Sequence, residues 1–222
     1  MKIELNIFTN SGFSSPSTEF IEKTFDSFET TFDYTGSVKV WCDPNPNLIS
    51  SDQYIDNLKK LFKNVSITSS LSDGYIQAVK QSDADFLFML EHDWTFNRNI
   101  KHSLEEICTL MEKEELMHLR FNKRKNKAVR SDTSLLERKA FIPYCITPFI
   151  SNNPHIIHRQ TYIELALNNV KNEPGSKGIE YWISQNPNIS GAIYGGLAYP
   201  NTVYHIDGRK KFTLKKLLAF FR

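Results

Sequence analysis

The run Asp85-Phe86-Leu87-Phe88-Met89-Leu90 restricts the fold more than any other segment of this chain. After its first residue it offers no polar face, so it fits a central parallel strand covered on both sides. The sequence before it alternates between two periodicities. Residues 3–9 set apolar Ile3, Leu5 and Ile7 against polar neighbours, as a strand does, and then run into a polar loop. Residues 17–34 place Phe20, Ile21, Phe25 and Phe28 at helical spacing, with Ser17 or Thr18 as N-cap. Residues 37–42 read as a second strand, stopped by Asp43-Pro44-Asn45-Pro46, which cannot continue a sheet. A helix over 52–63, a short strand over 65–68 and a helix over 72–80 lead into the central strand. This order predicts an α/β fold with a mixed, mostly parallel central sheet flanked by helices.

After the central strand, residues 100–113 are expected to be helical and 116–121 to form a strand. Residues 122–138 are rich in charge and poor in core residues, and read as a mobile excursion, a lid over a site. A Pro-flanked apolar segment follows at 144–150, then a strand or turn at 155–158. Helical stretches are expected at 160–170 and 178–185, and Ile193-Tyr194 and residues 203–206 are expected to close the sheet. Neither an internal repeat nor a linker interrupts the 222 residues, so one domain is the simplest description.

Bulk composition excludes more than it assigns. Aromatics at 13% and apolar residues at 40% supply a real core and rule out charge-driven disorder. Twenty-seven basic against 25 acidic residues leave a net charge of +2, too balanced for a dedicated nucleic-acid binder. The three cysteines, Cys42, Cys108 and Cys145, stand far apart and form no CxxC pair, as expected of buried thiols in a reducing, cytoplasmic setting. The first ten residues have the character of neither a signal peptide nor an anchor, and no run approaches a membrane span. Over 209–222, six basic residues interleave with Phe212, Leu214, Leu217, Leu218, Phe220 and Phe221. As a helix, that pattern suits an anionic membrane surface, giving peripheral contact, or docking on the body.

Chemistry concentrates where the central strand ends, in Glu91-His92-Asp93. Ligands of open α/β sheets bind outside the carboxyl ends of the strands. Two carboxylates separated by one residue point the same way on extended backbone, and can aim oxygen donors at one Mg²⁺ or Mn²⁺. An acidic surface turn would use the same residues.

The stretch SDGYIQAVKQSDADFLFMLEHDW resembles the GT-A glycosyltransferases, particularly those related to family 2. Asp73-Gly74 matches their helix start and Ala84-Asp85 the step before the strand. Glu91-His92-Asp93 stands where their DxD motif does, with Glu91 in place of the first Asp. The resemblance covers the first half of the chain. It implies a nucleotide-binding half over 1–95 and an acceptor and donor-sugar half over 96–222. On the nucleotide side it points to Thr9 and Asn10 at the end of strand one, Asp43 at the end of strand two, Asp73 and Glu91. Asp93 becomes the metal ligand, with His205 as a carboxy-terminal second ligand, Asp207 as its alternative, and Mn²⁺ or Mg²⁺ as cofactor.

The resemblance also implies that Asn152, Asn153 and His155 contact sugar hydroxyls, that Arg159 faces phosphate, and that Glu180 is the catalytic base of an inverting transfer. Arg209 and Lys210 would face the leaving diphosphate. Plainer readings stand beside these: a turn-initiating Asp43, an Asn-Pro turn at 152–154, a Glu180 favoured by a helix dipole. The function implied is transfer of a sugar from a nucleoside diphosphate-sugar to a glycan, lipid or protein hydroxyl. A nucleotidyltransferase is the alternative enzyme, but its basic Gly-rich loop is missing from SGFSSPS. A non-catalytic nucleotide-sugar-binding module is the other. His102 and His118 have no assigned partner.

Overall fold

The computed structural model describes residues 1–12, 15–128, 135–170, 179–183, 186 and 189–206. The first half is the expected series: β1 (Ile3–Asn10), α1 (Glu19–Phe32), β2 (Ser37–Asp43), α2 (Ser51–Leu61), β3 (Val65–Ile67), α3 (Leu71–Gln81) and β4 (Phe86–Glu91). Then come β5 (Trp94–Phe96), α4 (Leu104–Lys113), β6 (His118–Arg120), β7 (Leu136–Arg138), β8 (Tyr144–Thr147) and β9 (His155–His158). The series ends with α5 (Arg159–Leu165), a 3₁₀ turn (Leu167–Asn169), α6 (Ile179–Ile183), β10 (Gly191–Tyr194) and β11 (Val203–His205).

Among the described residues, nine strands form one sheet in the order β3-β2-β1-β4-β9-β6-β10-β8-β7. The pairs β3-β2, β2-β1, β1-β4 and β6-β10 are parallel, and β9 and β8 are antiparallel to both of their neighbours. Seven strands therefore run one way and two against them. The sheet is mixed and mostly parallel, as expected.

The central strand divides its side chains between two cores. Phe86, Phe88 and Leu90 join α1, α2 and α4 on one face. Leu87 and Met89 join α3, α5 and α6 on the other. On the first face Phe28, Phe32, Phe88, Phe96 and Phe121 meet edge-on or stacked, at centroid separations of 4.7 to 5.9 Å. Each phenyl ring so buried contributes roughly 2–3 kcal/mol. Local signals agree with the packing. Ser70 Oγ accepts the Asp73 N–H to start α3, and Ser103 with Glu106 forms a capping box at α4. The three thiols are buried and free, and burial pushes each above its usual range.

Two expectations are corrected. Residues 203–205 do not close the main sheet. They pair antiparallel with β5 in a separate two-stranded ribbon, Trp94 opposite His205, because β5 leaves the main sheet at the turn after β4 and offers them a strand edge of its own. Nor is 122–138 a loop throughout. Asn122 and Asn126 are buried and bonded to the chain around 194–202, and Leu136–Arg138 is an edge strand. The charge of this stretch masks two asparagines whose amides are spent on backbone. Residues 129–134 and the basic stretch 207–222 lie outside the described residues. No described helix is long and apolar enough to cross a membrane.

Candidate active site

Strand register builds the site. Parallel pairing sets Asn10 beside Asp43 and Phe8 beside Glu91, so β2, β1 and β4 end at one level. A cavity of about 180 Å³ opens there, lined by Phe8, Thr9, Asn10, Asp43, Leu71, Glu91, His92, Asp93 and His205. Six of the residues singled out in the sequence, Thr9, Asn10, Asp43, Glu91, Asp93 and His205, thus share one cleft. Its position, outside the carboxyl ends of parallel strands, is where open α/β sheets bind ligands.

At the centre stands Asp93, in the turn between β4 and β5. Its Oδ2 lies 3.0 Å from His205 Nε2. Its backbone carbonyl accepts the Ile206 N–H at 2.7 Å, which ties β11 to the turn. The His205 ring packs on Trp94 at 4.5 Å between centroids. Asp93 Oδ1 is buried and accepts no hydrogen bond among the described residues, an expensive state for a carboxylate oxygen. A cation would satisfy it. Among the described residues no three acidic, histidine or cysteine side chains stand close enough to form a complete cage. Carboxylate and imidazole alone suit a cation that keeps waters and phosphate oxygens as its remaining ligands.

Glu91 completes the acidic wall. Burial first, then the negative charges of Asp93 and Glu180, pushes its carboxyl up to about 8, against the opposing pull of Trp94 and, after it, of Lys123. Asp43 is also raised, by burial and by the charge of Asp73. Thr9 Oγ1 is taken by Tyr54 Oη at 2.5 Å. Asn10 is exposed at the mouth.

The other candidates sit apart from the cavity lining. Asp73 closes the first turn of α3, accepting bonds from Ser69 N, Ser69 Oγ and Gln77 Nε2, and these hold it low despite some burial. Glu180, at the start of α6, accepts the backbone N–H of Asn152 and is close enough for its charge to act on Glu91. The Asn153 carbonyl accepts the His155 Nδ1–H at 2.8 Å. His155 stacks between Tyr75 and His118, deep under the site. Arg159 Nε donates to the Val79 carbonyl, away from the cleft. Asp207, Arg209 and Lys210 lie outside the described residues.

Two residues beside this site, Trp94 and Lys123, carry little signal of it in the sequence. Trp94 follows the acidic motif directly, and its alternation with Thr95 and Phe96 is the period-2 signal of a strand with one buried face. Lys123 was hidden in a run of like charges.

No protein-family model matches the chain, and no curated protein does. Solved structures do. TarS of S. aureus, residues 1–349, superposes with a TM-score of 0.56 at 14% identity, covering 99% of this chain and 65% of that one. The same protein in complex with UDP-GlcNAc gives 0.54 at 13%, covering 92% and 58%. GalNAc-T7 with UDP, GalNAc and Mn²⁺ gives 0.60 at 13%, covering 94% and 45%. The fold is the GT-A fold. The chain spans less than two thirds of those GT-A chains. Glu91-His92-Asp93 stands where the run of parallel strands β3-β2-β1-β4 ends. The β5–β11 ribbon then returns the carboxy-terminal part of the chain to the same point.

Proposed function

We propose that the chain is a metal-dependent glycosyltransferase, moving a sugar from a nucleoside diphosphate-sugar to a hydroxyl acceptor with inversion at the anomeric carbon. One observation carries this reading. In a cleft at the ends of β2, β1 and β4, Asp93 keeps a buried oxygen that has no partner among the described residues, beside the imidazole of His205. That pair is the proposed holder of Mn²⁺ or Mg²⁺. Bound there, the ion supplies positive charge opposite the departing diphosphate. The likeness to structures holding UDP-GlcNAc, or UDP with Mn²⁺, supports the same assignment.

The chain's own groups divide the remaining work. Asp43 accepts from the base or ribose, with Asn10 and the backbone of Thr9 lining that end of the cavity. Glu91 faces the ribose side, its carboxylate held close to Asp93. Asp73 shapes the nucleotide side from a distance by fixing the first turn of α3. Asn153 borders the sugar end beside Glu180. Glu180 is the base. Its carboxylate takes the acceptor's hydroxyl proton as that oxygen bonds to the anomeric carbon and the bond to the diphosphate breaks. The Asn152 N–H fixes one Glu180 oxygen and leaves the other for the proton. The acceptor is a glycan, lipid or protein hydroxyl.

Calorimetry with UDP and GDP, with and without Mn²⁺, tests the metal assignment. Mn²⁺ is expected to tighten one of them by about tenfold or more, and Asp93→Asn to erase the gain. Metal-independent binding that survives Asp93→Asn would contradict it.

A further inference from the structure

We propose that Lys123 is a phosphate-binding residue of this cleft, carried on a fixed basic rim and contacting the donor's diphosphate; the inference rests on the nucleotide-sugar reading above. The rim is the segment just after β6, pinned at both ends by buried asparagines. Asn122 donates through Nδ2 to the Pro200 carbonyl at 2.8 Å and the Arg124 carbonyl at 3.0 Å. Its Oδ1 accepts from Thr202 Oγ1 at 2.7 Å, and its carbonyl accepts the Thr202 N–H at 2.7 Å. Four residues on, Asn126 Nδ2 reaches the carbonyls of Tyr194, Gly195 and Gly196 at 2.9 to 3.2 Å. Its backbone exchanges two bonds with 198–199. Asn122 is 5% exposed and Asn126 1%, so these bonds are shielded from water and hold the backbone between them in place.

On this rigid stretch Lys123 is exposed, and it makes no ion pair among the described residues. Its Nζ sits 5.8 Å from the centroid of Trp94, the ring that packs on His205. Its charge also reaches Glu91. Contact with an indole face at an exposed site is worth only about 0.5–1 kcal/mol, so the amine can leave it for a stronger partner. The described ionisable side chains lining the cavity are three carboxylates and two imidazoles, an arrangement that repels a diphosphate until cations balance it. Lys123 supplies such a cation beside Trp94, whose ring packs on His205, and supplies it without a closing loop. A pinned cation loses little freedom on binding, which favours this site over an untethered lysine.

The test compares binding of UDP and GDP, and of their nucleosides, to the wild-type chain and to Lys123→Gln, Lys123→Arg and Lys127→Gln, with Mn²⁺ present. For whichever diphosphate the wild type binds, Lys123→Gln is expected to weaken it about tenfold and leave its nucleoside unchanged. Lys123→Arg should keep most of the affinity, and Lys127→Gln, further along the same rim, all of it. The loss should shrink in about 0.5 M salt, as it does for exposed charges. Lys123→Gln binding like the wild type would overturn the inference and leave the functional reading standing. Equal loss with Lys127→Gln would also overturn it, by pointing to net charge alone. A wild type that binds no nucleoside diphosphate would overturn both.

Discussion

Glu91→Gln is expected to stabilise the unliganded chain while weakening nucleotide binding. The carboxyl is raised from 4.5 to about 8, by burial and by the neighbouring charges of Asp93 and Glu180. A carboxyl whose folded value exceeds its unfolded one favours folding fully below the unfolded value. It loses that contribution as pH rises through the folded value. The gain of the variant should therefore open above pH 4.5 and level off above about 8, reaching on the order of a few kcal/mol. Urea unfolding at a series of pH values measures it. A variant less stable than the wild type at pH 8 would mean that the charge is already neutralised within the chain. At this scale the sequence was legible in part. Spacing alone placed Glu91 and Asp93 at a strand end. The pairing of Asp93 with His205 is not readable from spacing, because they lie far apart in the chain and only the β5–β11 register brings them together.

At the scale of elements, the sequence of the first half predicts each strand and helix up to β4 to within two residues at either end, because periodicities there are strong and punctuated by Pro, Ser and Asp. The run 86–90 splitting between two cores is what an unbroken apolar strand requires. The second half was harder. Its strands are three or four residues long, too short for a period to declare itself, and β11 found a partner outside the main sheet. The rim after β6 has the composition of a mobile loop because lysines dominate its sequence, while Asn122 and Asn126 dominate its energetics. Asn126→Ala would leave the carbonyls of Tyr194, Gly195 and Gly196 without that amide, at a cost of about 1–3 kcal/mol. Hydrogen exchange should then speed up over 122–128 more than over β4. Unchanged protection there would mean that the rim is held by something other than this side chain.

Across the whole molecule, balanced net charge conceals a separation by place. Carboxylates gather where β2, β1 and β4 end, while Lys123 and its neighbours stand on the rim above them. The GT-A architecture explains why distant segments meet: parallel strands align their ends, and the β5–β11 ribbon returns the late chain to the acidic turn. The central claim is that this meeting point transfers sugar from a nucleotide. Its most direct test is nucleoside diphosphate release from a panel of nucleotide sugars with Mn²⁺, by the wild type and by Asp93→Asn. Turnover of at least one donor is expected, reduced about a hundredfold or more in the variant. Undiminished release by Asp93→Asn, or a wild type that binds these donors and turns over none, would contradict it.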